Sequence, residues 1–448
     1  MKIKKIKKLV SAVLFLGVIS SVALGSVFAD ENTAYATVAG IDTLWVMIAA
    51  FMVFIMQAGF GMLEAGLIRA KNTCNVLMNN FLDFCMASVG FFIFGYAIMF
   101  GAGNGFMGFK GWFMVNAAHD GHLPLYAAWF FHAVFCGAAA TIVAGGVAER
   151  MKFKAYLIYS FLISATVYPI IGHWIWGGGW LSNLNFADFA GSSVVHAVGG
   201  TAALMGTIVL RPRIGKFNKD GSANAIEGHS MTLASLGTLI LWFAWFGFNP
   251  GSTLSVGDGS QIAHVAVTTN MAAVAGALSA MFFNWKKFGK PDLTMTMNGA
   301  LAGLVAITAP CAFVTPLEAM IIGAIGGIIV VVGTVFLDKI RVDDPVGAVP
   351  VHMMNGVWGT LAVGIFGHKS LGLARDGLIH GGGIAQLGVQ ALGVLAVVSF
   401  VSVVMFTVFK LIDRFIGLRV SREEELKGLD ITQHGMETYS GFEIFTTK

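Results

Sequence analysis

Eleven stretches of about 20 or more mostly apolar residues succeed one another along this chain. They lie near 42–68, 75–101, 123–147, 153–177, 189–210, 229–249, 261–284, 293–313, 317–337, 346–366 and 381–412. About 20 such residues in a helix cross the hydrocarbon core of a bilayer. The pattern therefore predicts an all-α polytopic membrane protein with 11 transmembrane helices. Charge supports this. Only 12% of the residues are charged and 56% are hydrophobic, against about 25% charged in a soluble domain. So much apolar surface has to face lipid, and the 57 glycines suit helices that approach one another closely.

The loops set an orientation. Lys and Arg gather in alternate connections: Arg69 and Lys71; Arg150, Lys152 and Lys154; Arg211, Arg213, Lys216 and Lys219; Lys286, Lys287 and Lys290; Lys339 and Arg341. The other connections hold only Lys110, Lys369 and Arg375. Cytoplasmic loops carry the basic excess, so the N-terminus is expected outside and the C-terminus inside. Before the first span, Lys2, Lys4, Lys5, Lys7 and Lys8 precede an apolar stretch from Leu9 to Phe28 and then Ala29. That order predicts a signal peptide over 1–29, with an uncleaved signal anchor as the alternative. The membrane domain then covers 30–412, and a polar tail covers 413–448. In the tail, Ser421 with Glu424 three residues on forms a helix-opening pair, and Gly428 and Gly435 break the helical pattern after it.

Histidine and aspartate are costly inside a membrane and mark functional candidates there. His196 and His352 sit deep in the fifth and tenth spans, each eight residues after an aspartate. Asp188-Phe-Ala-Gly-Ser-Ser-Val-Val-His196 matches Asp344-Pro-Val-Gly-Ala-Val-Pro-Val-His352, and Gly200 and Gly356 come four residues after the histidines. Five spans separate the copies, so the halves enter the membrane in opposite directions. This predicts an inverted 5+5 repeat plus an eleventh helix. In such folds the transport site lies where the repeats meet near the midplane, which would bring the two imidazoles together. Asp343 and Asp344 read as helix-capping residues at a basic loop. Asp188 reads as a cap or as a support for an outer vestibule attractive to cations.

Several aromatics fall at one depth toward the outer face: Phe131 and Phe135, Trp176, and the segment Trp245-Phe-Gly-Phe-Asn-Pro-Gly-Ser252. Aromatic faces hold cations more strongly where water is excluded, and a serine hydroxyl accepts from an N–H donor. Cys74, Cys85, Cys136 and Cys311 are scattered through apolar runs without metal-ligand spacing and read as small hydrophobes. No His-Glu-x-x-His or nucleophile–base spacing occurs, so neither an enzyme nor a metal is expected.

The motifs together resemble the ammonium transporter/methylammonium permease/Rhesus family, the bacterial ammonium transporter branch in particular. The resemblance rests on Gln57–Glu64, Ala148-Glu-Arg150, Trp176–Gly179, Asp188–His196, Trp245–Asn249, Ala302–Thr308, Val342–Pro345 with His352, and Gly428–Gly435. It implies a homotrimer with one path per subunit, in the cell membrane. It also implies an outer recruitment site at Phe135, Trp176 and Ser252, and a phenylalanine gate at Phe135 and Phe248 with Phe131 beside it. Twin pore histidines would be His196 and His352, with Asp188, Trp245 and Thr308 supporting. The tail would dock a PII-type regulatory protein. Ser192 departs from the glycine that many relatives carry. The expected activity is ammonium uptake in which the ion is deprotonated and ammonia crosses an apolar pore, with the proton handled separately. A sensor signalling through its tail and a neutral-gas channel of Rhesus type are the alternatives. No cofactor and no nucleic-acid partner is implied.

Overall fold

The computed structural model of the chain describes residues 31–117 and 122–439. The expected signal peptide lies outside them. Met1–Ile41 and Asp42–Lys448 form two units, and in the first the described residues are helical. Among the described residues no strand forms, only three isolated bridges.

Among the described residues ten helices are long and apolar enough to cross a membrane: α1 (Thr37–Leu67), α2 (Ala70–Phe100), α3 (Leu125–Val147), α4 (Phe153–Asn183), α5 (Ser192–Leu210), α6 (Met231–Thr253), α7 (Ser260–Phe288), α9 (Pro316–Lys339), α10 (Val349–Phe366) and α11 (Ala385–Phe415). Between α7 and α9 lies a shorter apolar helix, α8 (Leu293–Thr308). The sequence predicted an apolar span to residue 313 here. Pro310 disfavours helix at the residue before it and cannot extend the ladder, so the helix stops at Thr308. At 1.5 Å per residue, α8 reaches about 24 Å. Every residue from Met297 to Thr308 is buried, so α8 is shielded by protein and need not match the lipid thickness.

The bundle is apolar on the outside too. Phe81, Leu239, Leu395 and Val403 are each more than half exposed. An aqueous surface rarely gathers such side chains, and lipid accepts them. The protein is a multi-pass membrane protein.

Glycines set the approach of α5 and α10. A Cβ on Gly200 would fall 2.2 Å from the Met353 nitrogen, and one on Gly356 would fall 2.5 Å from the Ser192 carbonyl oxygen. Only glycine lets these backbones touch.

Charge collects in the connections rich in lysine and arginine. Glu149, after α3, accepts from the Arg69 guanidinium after α1 at 2.8 Å and from Arg213 after α5 at 2.8 Å. Arg213 also grips Asp343 before α10 at 2.9 Å, so Asp343 is an ion-pair partner, while Asp344 does cap α10. Burial alone would raise the Glu149 carboxyl, but the charges and hydrogen bonds of Arg213 and Arg69 outweigh it and hold it down at about 2. Four connections are thereby tied into one plate.

The tail folds onto that plate. Ser421 and Glu424 form a reciprocal capping box on α12 (Arg422–Lys427). Asp430 accepts from the Cys74 and Asn75 backbone at 2.9 and 2.8 Å, capping the start of a helical turn in α2 where the dipole favours a carboxylate. Lys71 donates to the Glu425 and Leu426 carbonyls. The segment is docked on its own chain.

Candidate functional site

The two histidines meet. His196 and His352 lie Nδ1 to Nδ1 at 3.2 Å, rings nearly parallel and centroids 5.3 Å apart. Both are buried. Each sits on a stretch of wide helical turns, Ser192–Ala197 in α5 and Val349–Met354 in α10. Such turns often mark functional sites because they re-aim side chains. The aspartates eight residues upstream fix both stretches in matching fashion. Asp188 accepts from the backbone of Gly191, Ser193 and Val194 at 2.9, 2.7 and 3.0 Å. Asp344 accepts from Ala348 and Val349 at 3.1 and 2.7 Å.

Proton counting defines the chemistry of the pair. Two neutral imidazoles sharing an Nδ1···Nδ1 bond have opposite tautomers: one donates from Nδ1 and the other carries its proton on Nε2. The pair thus offers one N–H donor and one lone-pair acceptor at its Nε2 atoms. The Nε2 of His196 has no protein partner.

On one side of the pair stands an aromatic stack. Phe135 and Phe248 lie face to face, centroids 4.0 Å apart, and Phe131 packs on Phe135 at 4.6 Å. Phe248 is 5.5 Å from the His196 ring, which stacks on Trp245 at 5.2 Å. The Trp245 indole donates to Thr308 at 3.0 Å, fixing the plane on which His196 rests.

Beyond the stack opens a cavity of about 280 Å³ lined by Phe131, His132, Phe135, Trp176, Phe189 and Ser252, among others. The Trp176 indole donates to the Asp188 carbonyl at 2.8 Å. Gly191, at φ +117°, is the one residue type that fits beneath that ring, since a Cβ would meet Val195 at 2.8 Å. Ser252 donates its hydroxyl to the Phe248 carbonyl at 2.8 Å, which turns its oxygen lone pairs into acceptors. A group bearing N–H bonds and positive charge is matched here by ring faces and a hydroxyl oxygen.

On the other side of the pair a cavity of about 20 Å³ is lined by His352, Phe60, Asn298 and Glu64, roughly room for one water. Glu64 is buried and accepts from Asn80 at 2.9 Å.

The structure thus gathers His196, His352, Phe131, Phe135, Phe248, Trp176, Ser252, Trp245 and Thr308 along one line, with Asp188 behind it. Two residues there escaped the sequence reading as site residues. His132 lines the larger cavity with its Nδ1 unpartnered, and Glu64 lines the smaller one. Both fall inside apolar spans, so the rule that singled out the paired histidines applied to them as well. Ser192 has a task of its own. It donates to Val305 at 2.8 Å and accepts from the Ala309 nitrogen at 2.7 Å, stitching α5 to the end of α8.

Known proteins resemble this chain over most of its length. A family profile described as Ammonium Transporter Family matches residues 44–439. Ammonium transporter Amt2 of Archaeoglobus fulgidus is 47% identical over 424 residues, spanning 90% of this chain and 89% of the relative. A solved structure named Sensor Amt Protein is 40% identical with a TM-score of 0.85, covering 89% of this chain and 99% of that one. The crystal structure of Candida albicans Mep2 superposes with a TM-score of 0.79 at 28% identity, covering 86% of this chain and 87% of that one.

Proposed function

As this chain belongs to the ammonium transporter family, we propose that it takes up ammonium by splitting the ion at an aromatic entrance and passing ammonia along the paired histidines. The observation that carries this is the buried imidazole pair lying between two cavities behind a closed phenylalanine stack. The larger cavity faces outward, the basic plate and tail face the cytoplasm, and α8 completes 11 spans. Phe135, Trp176 and Ser252 recruit the ion, and Phe135 with Phe248 and Phe131 forms the gate.

Energetics favour the split. A bare cation passing walls of Phe, Trp, Val and Leu would lose its hydration without replacement, at many kcal/mol. Ammonia is neutral, and the pair's donor and acceptor match its lone pair and N–H bonds. The proton travels separately through the histidines, whose protonation equilibrium lies near neutrality in water. Potassium has no proton to release and no N–H bonds to direct, so it is refused. Three copies form a trimer in the cell membrane, signal peptide removed, and a PII-type protein acts at the tail.

A sensing role is the second reading, favoured by the likeness to Sensor Amt Protein. An ammonium pulse on proteoliposomes at a solid-supported electrode separates the two. A transporter of the proposed kind gives a current that falls, or admits potassium, in His196→Ala and His352→Ala. Ammonia-driven pH change without current identifies a neutral-gas channel, and binding without flux a sensor. Unaltered current and selectivity in both variants reject the histidine role.

A further inference from the structure

At the start of α9, the end away from the basic plate, three side chains from separate segments converge. Glu318 lies in the first turn of α9, His368 in the turn after α10, and His380 in the turn before α11. His380 Nε2 is 2.7 Å from Glu318 Oε1, and His368 Nε2 is 2.9 Å from Oε2. The two imidazoles stack at 3.8 Å, and their donor atoms with the carboxylate all lie within 4.8 Å of one another.

The carboxylate already has a structural task that needs neither ring. Its Oε2 accepts from the Thr315 nitrogen and hydroxyl at 2.8 Å each, closing a capping box on α9. Two imidazoles turned by the same nitrogen onto one carboxylate exceed that task. The backbone holds them there: the His368 nitrogen donates to the Phe313 carbonyl at 2.8 Å, Gly377 to Gly367 at 2.7 Å, and His380 to Gly377 at 3.1 Å. Two imidazole nitrogens and one carboxylate oxygen are a donor set for borderline divalent ions, zinc above all. Both rings remain partly exposed, at 21% and 26%, which leaves a path for the ion and room for a water as fourth ligand.

We propose that Glu318, His368 and His380 form a binding site for a zinc-class divalent cation on this face. On binding, each imidazole turns its Nε2 lone pair to the metal and carries its proton on Nδ1. Any proton held on Nε2 leaves that nitrogen as the metal takes its lone pair. The ion would clamp the start of α9 to the turns flanking α10 and α11. The sequence could not disclose such a site, since 50 residues separate Glu318 from His368 and no ligand spacing is kept.

The test uses the full chain in detergent, purified without a polyhistidine tag and stripped with a chelator. Zinc is titrated by calorimetry, metal content is measured after gel filtration, and the melting temperature is followed with and without zinc. One zinc per chain and a zinc-dependent rise in melting temperature are expected, because a ligand that binds only the folded state stabilises it. His368→Gln with His380→Gln should weaken binding ~10-fold or more and abolish the rise. His380→Gln alone, in an exposed turn, gives the same direction should the double variant fail to fold. Absence of zinc binding in the unaltered chain overturns the proposal. So does equal affinity in a folded variant.

Discussion

Glu149 and Arg213 are buried with every charge matched, whereas His196 and His352 are buried with a ring nitrogen left open. The plate can be closed because its work is mechanical: it joins four connections and receives the tail. Its charges survive burial because opposite charges and hydrogen bonds surround them. The conduit cannot be closed in that way. A hydrogen bond already made within the protein is one the solute cannot make, and the Nε2 of His196 and the Nδ1 of His132 are left without a protein partner there. On the proposed function, stability resides in the first region and transport in the second.

Removing one partner from the plate should give the largest change. Glu149→Ala leaves Arg213 and Arg69 facing a void, and breaking a buried pair costs about 3–5 kcal/mol. The melting temperature in detergent should fall sharply and expression with it. A variant as stable as the unaltered chain would show that the plate is not the anchor described.

The conduit should respond in the reverse sense. His196→Gln and His352→Gln keep polar groups of similar bulk. Each should shift stability by about 1 kcal/mol or less. The ammonium current should drop roughly tenfold or more, since an unmade buried hydrogen bond costs about 1–3 kcal/mol. Melting curves and current traces on the same preparations test the contrast. Strong destabilisation with normal current would dissolve it.

Acid sharpens the comparison further. Glu149 is held at about 2, below its ordinary 4.5. Its stabilising contribution is therefore complete above pH 4.5 and is lost as pH falls toward about 2. Melting temperatures across that window should decline less steeply in Glu149→Gln than in the unaltered chain. Parallel declines would mean that other carboxylates govern the acid response.

How far the sequence disclosed these regions depends on what kind of signal each left. The histidine pair was legible because a repeated nine-residue segment, Asp188 to His196 and Asp344 to His352, carries its own spacing. The helices were legible because lipid demands long apolar runs, and α8 is shorter than its apolar run because Pro310 follows it. The plate was not legible. Arg69, Glu149, Arg213 and Asp343 sit in four loops, and orientation alone accounts for basic residues there. Which charge meets which depends on how the bundle closes. Glu64 and His132 were present in apolar spans but had no repeat partner to draw attention to them.

The tail tests the smallest of these effects, at the seam between the plate and solvent. Its docking rests on Asp430, whose carboxylate caps a turn of α2 through Cys74 and Asn75, and on Lys71, which closes α12 from below. Losing such a cap costs ~0.5–2 kcal/mol, too little to unfold a bundle of this size. Asp430→Ala should therefore leave the melting temperature nearly unchanged while exposing the segment after Gly428 to added protease. If the tail instead stays protected, its hold comes from Glu425, which accepts from the Ile214 nitrogen at 2.7 Å and pairs with Arg419 at 2.7 Å. The seam would then be anchored at the α5 end rather than the α2 end, on the helix that carries His196.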